Sequence, residues 1–191
     1  MPNSKRKFWK QFLKSRREIG SVTPSSRYLT RSIVDKIDFS TDIVVIELGP
    51  GTGVFTQAIL SKLSPNSRLF VIELNNEMFD LLEKKFHDPR LILYHGSATD
   101  MPKLLSDHGV HKADYIVSSL PLSVMPDEIS HQIFLESKNL LGNHGKFIQF
   151  MYTLVLKAKL EKYYNQVAQN FVLFNFPPAF VFECQNVLEN E

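Results

Sequence analysis

The chain has 191 residues, 43% hydrophobic and 22% charged, with a formal net charge of +2 and one cysteine. That is enough for one domain with a real core. It excludes an internal disulfide and a cysteine-based metal cluster, and no apolar run approaches the roughly 18 residues of a membrane span.

Residues 5–19 form the first predicted element in chain order. Phe8, Trp9, Phe12 and Leu13 fall on one broad face among Lys7, Lys10, Lys14, Arg16 and Arg17, the pattern of a basic amphipathic helix. Arg27 and Arg31, four apart, share a helical face. From residue 42 strands and helices alternate. Residues 43–47 read as a buried strand ending in Gly-Pro-Gly, and 53–63 as a helix stopped by Ser64-Pro65-Asn66. A strand over 69–73, a helix over 77–86, and strands over 91–94 and 115–118 follow. Asp127-Glu128 open a helix over 129–141, near its positive dipole end. Then come a strand over 146–152, a helix over 154–164, and a closing hairpin of 171–176 and 179–184 around Pro177-Pro178. This alternation implies an α/β fold: a central, mostly parallel sheet with helices on both faces and a C-terminal antiparallel hairpin. A composition boundary near Gly20–Thr23 divides the chain into a basic helix, 1–22, and a catalytic-looking domain, 23–191.

Charge follows the same division. Residues 1–31 carry nine basic side chains and one acid, net +8, and the remainder is net −6.

The segment Val44-Val45-Ile46-Glu47-Leu48-Gly49-Pro50-Gly51-Thr52-Gly53 carries the most chemistry. Glycines at 49, 51 and 53 let the backbone turn sharply and approach a ligand without Cβ interference. Their G-x-G-x-G spacing differs from the dinucleotide fingerprint. Glu47 ends the strand before the loop, where a carboxylate can face a cationic group. Glu73 ends the next predicted strand, where a carboxylate can accept from both hydroxyls of a ribose. Alone, each acid reads equally well as a solvated strand end; together with the glycines they form a nucleoside-cofactor constellation.

Over residues 43–185 this assembly resembles the class I S-adenosylmethionine-dependent methyltransferases, whose fold is Rossmann-like. The resemblance implies S-adenosyl-L-methionine as cofactor, with Glu47 near its methionine amino end and Gly49, Gly51 and Gly53 beneath it. It places Glu73 on the ribose, with Leu74, Ser97, Ala98 and Ser118 lining the rest. Many members place an acid where Ser97 stands. No metal is implied, and the six histidines show no ligand spacing.

The fourth predicted strand ends in Ser118-Ser119-Leu120-Pro121-Leu122. Family members that methylate adenine place Asn or Asp, Pro and an aromatic residue here, to bind the amino group and stack the flipped base. This chain keeps Leu120-Pro121 but has serines before them and Leu122 after. With Gly20–Leu29, Gln149-Phe150-Met151-Tyr152 and Asn175-Phe176-Pro177-Pro178-Ala179, the stretch is similar to the bacterial phospholipid N-methyltransferases acting on phosphatidylethanolamine. That resemblance implies Leu120 and Pro121 at the acceptor site. Tyr28 and Tyr152 are the candidate aromatic partners of the methylated nitrogen, through cation–π attraction, and Arg27 and Arg31, on one helical face, the candidates to receive the lipid phosphate. Core packing for the tyrosines and solvation for the arginines are the alternatives. In that group a basic residue often follows the Pro-Pro-Ala strand, where this chain has Glu183. An rRNA adenine dimethyltransferase-like activity or methylation of a small amine are the alternative functions.

The expected partners are an anionic membrane surface and a phospholipid. Phe8, Trp9 and Phe12 would dock at the inner face of the cell membrane, leaving the protein cytoplasmic and peripheral. Packing of that helix on the body is the alternative, nucleic-acid binding is disfavoured, and no stable protein partner is expected.

Overall fold

The computed structural model describes residues 25–187. The predicted helix over 5–19, with Phe8, Trp9 and Phe12, lies outside them. Ser26 opens the first described helix, α1 (Arg27–Val34): its hydroxyl accepts the Leu29 N–H at 3.2 Å, satisfying a donor that the first turn cannot pair internally. Five strands follow in parallel, β1 (Val44–Leu48), β2 (Arg68–Glu73), β3 (Leu91–His95), β4 (Tyr115–Ser118) and β5 (Lys146–Met151). Between them lie α2 (Val54–Leu60), α3 (Asn76–Lys85), α4 (Met101–Asp107) and α5 (Asp127–Leu141). A short helix, α6 (Lys157–Leu160), leads to the antiparallel pair β6 (Gln166–Val172) and β7 (Ala179–Gln185).

The sheet runs β3-β2-β1-β4-β5-β7-β6, so strand order reverses between β1 and β4. β7 inserts antiparallel beside β5. Alternate residues of each strand enter opposite cores. Ile46, Phe70, Ile116 and Phe147 pack with Phe134 and Leu160 on one face. Val45, Val71, Val117 and Ile148 pack with Leu29, Ile33 and Ile59 on the other. Glu183 of β7 joins this frame through Lys36 at 2.8 Å and Lys146 at 2.7 Å, tying the end of α1 to β5 and β7. Its two lysines occupy it, and attraction to them outweighs its burial and lowers its pKa.

Two predicted elements are revised. In the segment 154–164 only Lys157–Leu160 is helical, although Leu156, Leu160 and Tyr164 are buried at helical spacing. That spacing signalled a longer helix, but short turns flank α6 on both sides. The first hairpin strand is Gln166–Val172 rather than 171–176. It is an edge strand with mostly exposed residues, so its side chains lack the alternation of a half-buried strand. The aromatic residues Phe174 and Phe176 instead lie in the connection to β7 and are exposed.

Candidate active site

Ligands of doubly wound sheets sit beyond the C-terminal strand ends at the point where strand order reverses. Here β1 delivers Glu47 and the glycine loop to that point, β2 delivers Glu73, and β4 delivers Ser118. A depression there is lined by Gly49, Glu73, Leu74, Ser97, Ala98, Leu120 and Pro121, all expected from the sequence. It is completed by Ile72, Gly96, Ser119, Met125, Ile129 and Ile133; Glu47, Gly51, Gly53 and Ser118 do not line it. Ile129 and Ile133, one turn apart on α5, are visible in the sequence only as a buried helix face.

The three glycines have different tasks. Gly49 (φ +69°) donates its N–H to the Ile72 carbonyl at 3.0 Å, and a Cβ there would stand 2.8 Å from Leu120 Cδ2. Gly53 (φ +77°) is buried, and a Cβ would meet Phe86 Cε2 at 2.6 Å and Leu82 Cδ2 at 2.7 Å. Its place is therefore to let α2 pack against the end of α3. Gly51 (φ +59°) faces open space, and a Cβ there would meet nothing within 4 Å.

Glu47 is fully buried. One carboxylate oxygen accepts the Thr56 hydroxyl at 2.6 Å, and the other has no partner among the described residues. Burial pushes its pKa up to about 7; the Thr56 hydrogen bond opposes this and the Glu73 charge adds to it. Such a carboxylate lacks a cationic donor. Glu73, also buried, accepts the Asn75 N–H at 2.8 Å and the Gly51 N–H at 3.4 Å, tying the glycine loop to the end of β2. Ser97 lines the depression, but its hydroxyl is turned onto Thr99, where it caps a 3-10 turn (Ala98–Asp100), while its N–H donates to Asp100 at 3.0 Å. An unpartnered buried carboxylate oxygen, an open glycine and an acid at the second strand end fit S-adenosylmethionine, with its ammonium group and ribose hydroxyls.

Residues 4–170 match the sequence family described as ribosomal RNA adenine dimethylase. The chain belongs to this family of S-adenosylmethionine-dependent methyltransferases. Over 185 residues it is 31% identical to the ornithine lipid N-methyltransferase of Singulisphaera acidiphila, covering 96% of each chain. It is 30% identical over 129 residues to ribosomal RNA small subunit methyltransferase A of a Hydrogenobaculum species, covering 66% of this chain but 50% of that one. Two solved structures share the fold. Precorrin-6y C5,15-methyltransferase of Geobacter metallireducens superposes with a TM-score of 0.63 at 18% identity, covering 84% of this chain and 88% of that one. Human methyltransferase-like protein 13, in complex with SAH, gives 0.62 at 17% identity, covering 86% and 81%.

In this methyltransferase the loop after β4 closes the depression. Ser118 is buried and its hydroxyl accepts the Leu120 N–H at 3.3 Å, so it shapes the turn. The Leu120 carbonyl accepts twice, from Gln149 Nε2 at 3.1 Å and from the Leu122 N–H at 2.9 Å. Gln149 lies opposite Ser118 in the β4–β5 register and is fully buried. In the sequence Gln149 stands out only within a stretch that carries a family resemblance; its further signal is that it is polar among the apolar residues of a central strand. Leu122 is fully buried in the core, so the position after Pro121 presents no ring to a substrate.

Tyr28 and Tyr152 do not line the depression. Both are exposed on the same side of the sheet: Tyr28 packs on Phe174 with ring centroids 5.3 Å apart, and Tyr152 stands edge-on to Phe150 at 5.9 Å. The Arg27 guanidinium lies over the Tyr28 ring at 4.9 Å and donates to its hydroxyl at 3.0 Å. Arg31 pairs with Asp35 at 3.2 Å in an exposed bridge. Among the described residues no cluster of His, Cys, Asp and Glu is placed to hold a metal ion, and no helix is long and apolar enough to cross a membrane.

Proposed function

We propose that this methyltransferase acts on the primary amine of a membrane-lipid headgroup, phosphatidylethanolamine or an ornithine lipid, at the membrane surface. The observation that carries the reading is the acceptor loop. Leu122 is buried where adenine-methylating relatives offer a stacking ring, and the Leu120 carbonyl already accepts two hydrogen bonds. A planar base finds little there, whereas a flexible primary amine on a chain needs only a narrow approach beside Leu120 and Pro121. The full-length similarity to an ornithine lipid N-methyltransferase supports the same class.

When bound, S-adenosylmethionine supplies an electrophilic methyl on its sulfonium. The chain then has to orient a neutral amine in line with it and exclude water. Glu47 and Glu73 hold the cofactor's cationic and hydroxyl groups, and Leu120, Pro121, Met125 and Ile129 form an apolar wall. Tyr28 and Tyr152, exposed on the same side of the sheet, suit a product nitrogen that becomes more cationic with each methyl, through cation–π attraction. The Tyr28 ring already accommodates the Arg27 guanidinium in this way. Arg27 and Arg31 would meet the phosphate of phosphatidylethanolamine or the free carboxylate of an ornithine lipid.

A second reading, methylation of adenine in ribosomal RNA, is favoured by the family match itself. Incubating the protein and labelled cofactor with vesicles of either lipid tests the proposal. Label recovered as mono- or dimethylated headgroup supports it, and absence of label from both lipids refutes it. Ala at Arg27 and Arg31 should raise KM several-fold for the lipid that is methylated, and an unchanged KM would remove the two arginines from headgroup binding.

A further inference from the structure

The parallel strands end on one side of the sheet, and the connection between β6 and β7 falls on that side, because β7 runs antiparallel to β5 and β6 antiparallel to β7. The loop after β5 falls there too. These two connections carry five large, exposed apolar side chains, Leu154, Val155, Leu173, Phe174 and Phe176, and Phe171 at the end of β6 adds a sixth. Phe176 is 89% exposed, Val155 74% and Phe174 70%. Such a concentration has no role in the core and is costly in water, so it marks an interaction surface. The topology sets it beside the acceptor loop, since the strand between it and β4 is β5.

We propose that the β6–β7 connection, with the loop after β5, is a wedge that inserts into the interface of an anionic lipid bilayer and turns the acceptor loop toward the headgroups. Charge and connectivity favour a bilayer over other occupants. Phe174 packs on Tyr28, whose ring carries the Arg27 guanidinium, so a cation is fixed at the border of the apolar patch. Asn175, within the loop, accepts the Ser26 N–H at 3.1 Å through its side chain. The chain therefore enters the described fold at this wedge, and the 24 residues preceding Ser25 hold seven basic side chains and one acid. Exposed aromatic side chains bordered by basic charge match a headgroup boundary: the rings enter the acyl region while the cations meet anionic phosphates. The inference shares with the proposed function the premise of a membrane surface, but it concerns insertion and not turnover.

Two measurements on the full-length protein test it. Trp9 is the single tryptophan, so the double variant W9F/F176W carries one fluorophore, placed at the wedge tip. Adding phosphatidylethanolamine–phosphatidylglycerol vesicles should shift its emission to the blue, and brominated acyl chains should quench it. Emission that stays water-like with vesicles overturns the proposal. So does emission that is already blue-shifted without vesicles and unchanged by them, which would mean that the chain's own N-terminal segment or a second copy covers the wedge. Separately, F174D/F176D should weaken sedimentation with these vesicles at least about tenfold, with an unchanged melting temperature and unchanged affinity for S-adenosylmethionine. Sedimentation equal to the parent overturns the proposal even if the protein methylates lipid. Loss of sedimentation with no methylation of either lipid by the parent would keep the wedge and refute the substrate.

Discussion

If Glu47 meets the cofactor's ammonium group as proposed, one proton couples folding to cofactor binding. In the native protein its carboxyl keeps its proton up to a pH of about 7, against 4.5 for an unperturbed glutamate, because burial outweighs the Thr56 hydrogen bond. Between those values the native state binds more protons than the unfolded chain, so stability falls as pH rises through the window. The total is roughly 3 kcal/mol at 1.36 kcal/mol per pKa shift of one. E47Q should remove that contribution, so that its melting temperature gains on the parent's as pH rises from 4.5 to 7 and exceeds it above pH 7. Its affinity for S-adenosylmethionine should drop at least about tenfold, since a neutral amide cannot pair an ammonium. Calorimetry of the parent in buffers of different ionisation enthalpy should show proton release on cofactor binding below pH 7; no release would remove Glu47 from the site. Gly51 offers a second residue-scale test. Alanine there meets no neighbour and costs about 1–2 kcal/mol through its positive φ alone. A loss of cofactor affinity beyond tenfold in G51A would show that the ligand passes over this position, and parent-like affinity would show that it does not.

The loop after β4 and the strand beside it are hydrogen-bonded as a unit, which would set acceptor geometry in the proposed function. Gln149 on β5 holds the Leu120 carbonyl across the strand boundary, and leucine removes the amide with an apolar side chain one atom smaller. Q149L should cost about 1–3 kcal/mol of stability by weakening the pairing of a buried carbonyl. It should also lower kcat while leaving cofactor affinity intact, and a proportional loss of both would mean that the whole site had collapsed. The elements themselves were legible to very different degrees. Strands β1 to β5 are continuous apolar runs because both faces are covered, and each lies within one or two residues of its predicted place. Glu47, the glycine loop and Glu73 were legible for the same reason, since they sit where those runs stop. The edge strand β6 was not, because its residues face water and show no period. Leu122 was visible as a missing ring, but its burial in the core emerges only from the packing of the loop. The distinct tasks of Gly49, Gly51 and Gly53 also depend on neighbours such as Leu120 and Phe86, which are distant in sequence.

Across the whole molecule, the charge division of the sequence acquires a direction. Residues 1–31 are net +8 and the rest net −6. The basic part joins the fold at Ser26, beside the β6–β7 connection and on the side of the sheet that carries the acceptor loop. An anionic surface would attract that side and repel the acidic remainder, orienting the site before any contact forms. Deleting residues 1–19 should therefore abolish sedimentation with anionic vesicles at physiological salt while cofactor affinity persists, and unchanged sedimentation would refute the electrostatic role. Methylation of lipid amines by a ribosomal RNA adenine dimethylase fold is the function proposed. It is tested most directly by competition in one reaction, with labelled S-adenosylmethionine, vesicles containing phosphatidylethanolamine and ornithine lipid, and immature small ribosomal subunits. Label in lipid headgroups and none in RNA is the predicted result, and label confined to adenine would contradict it.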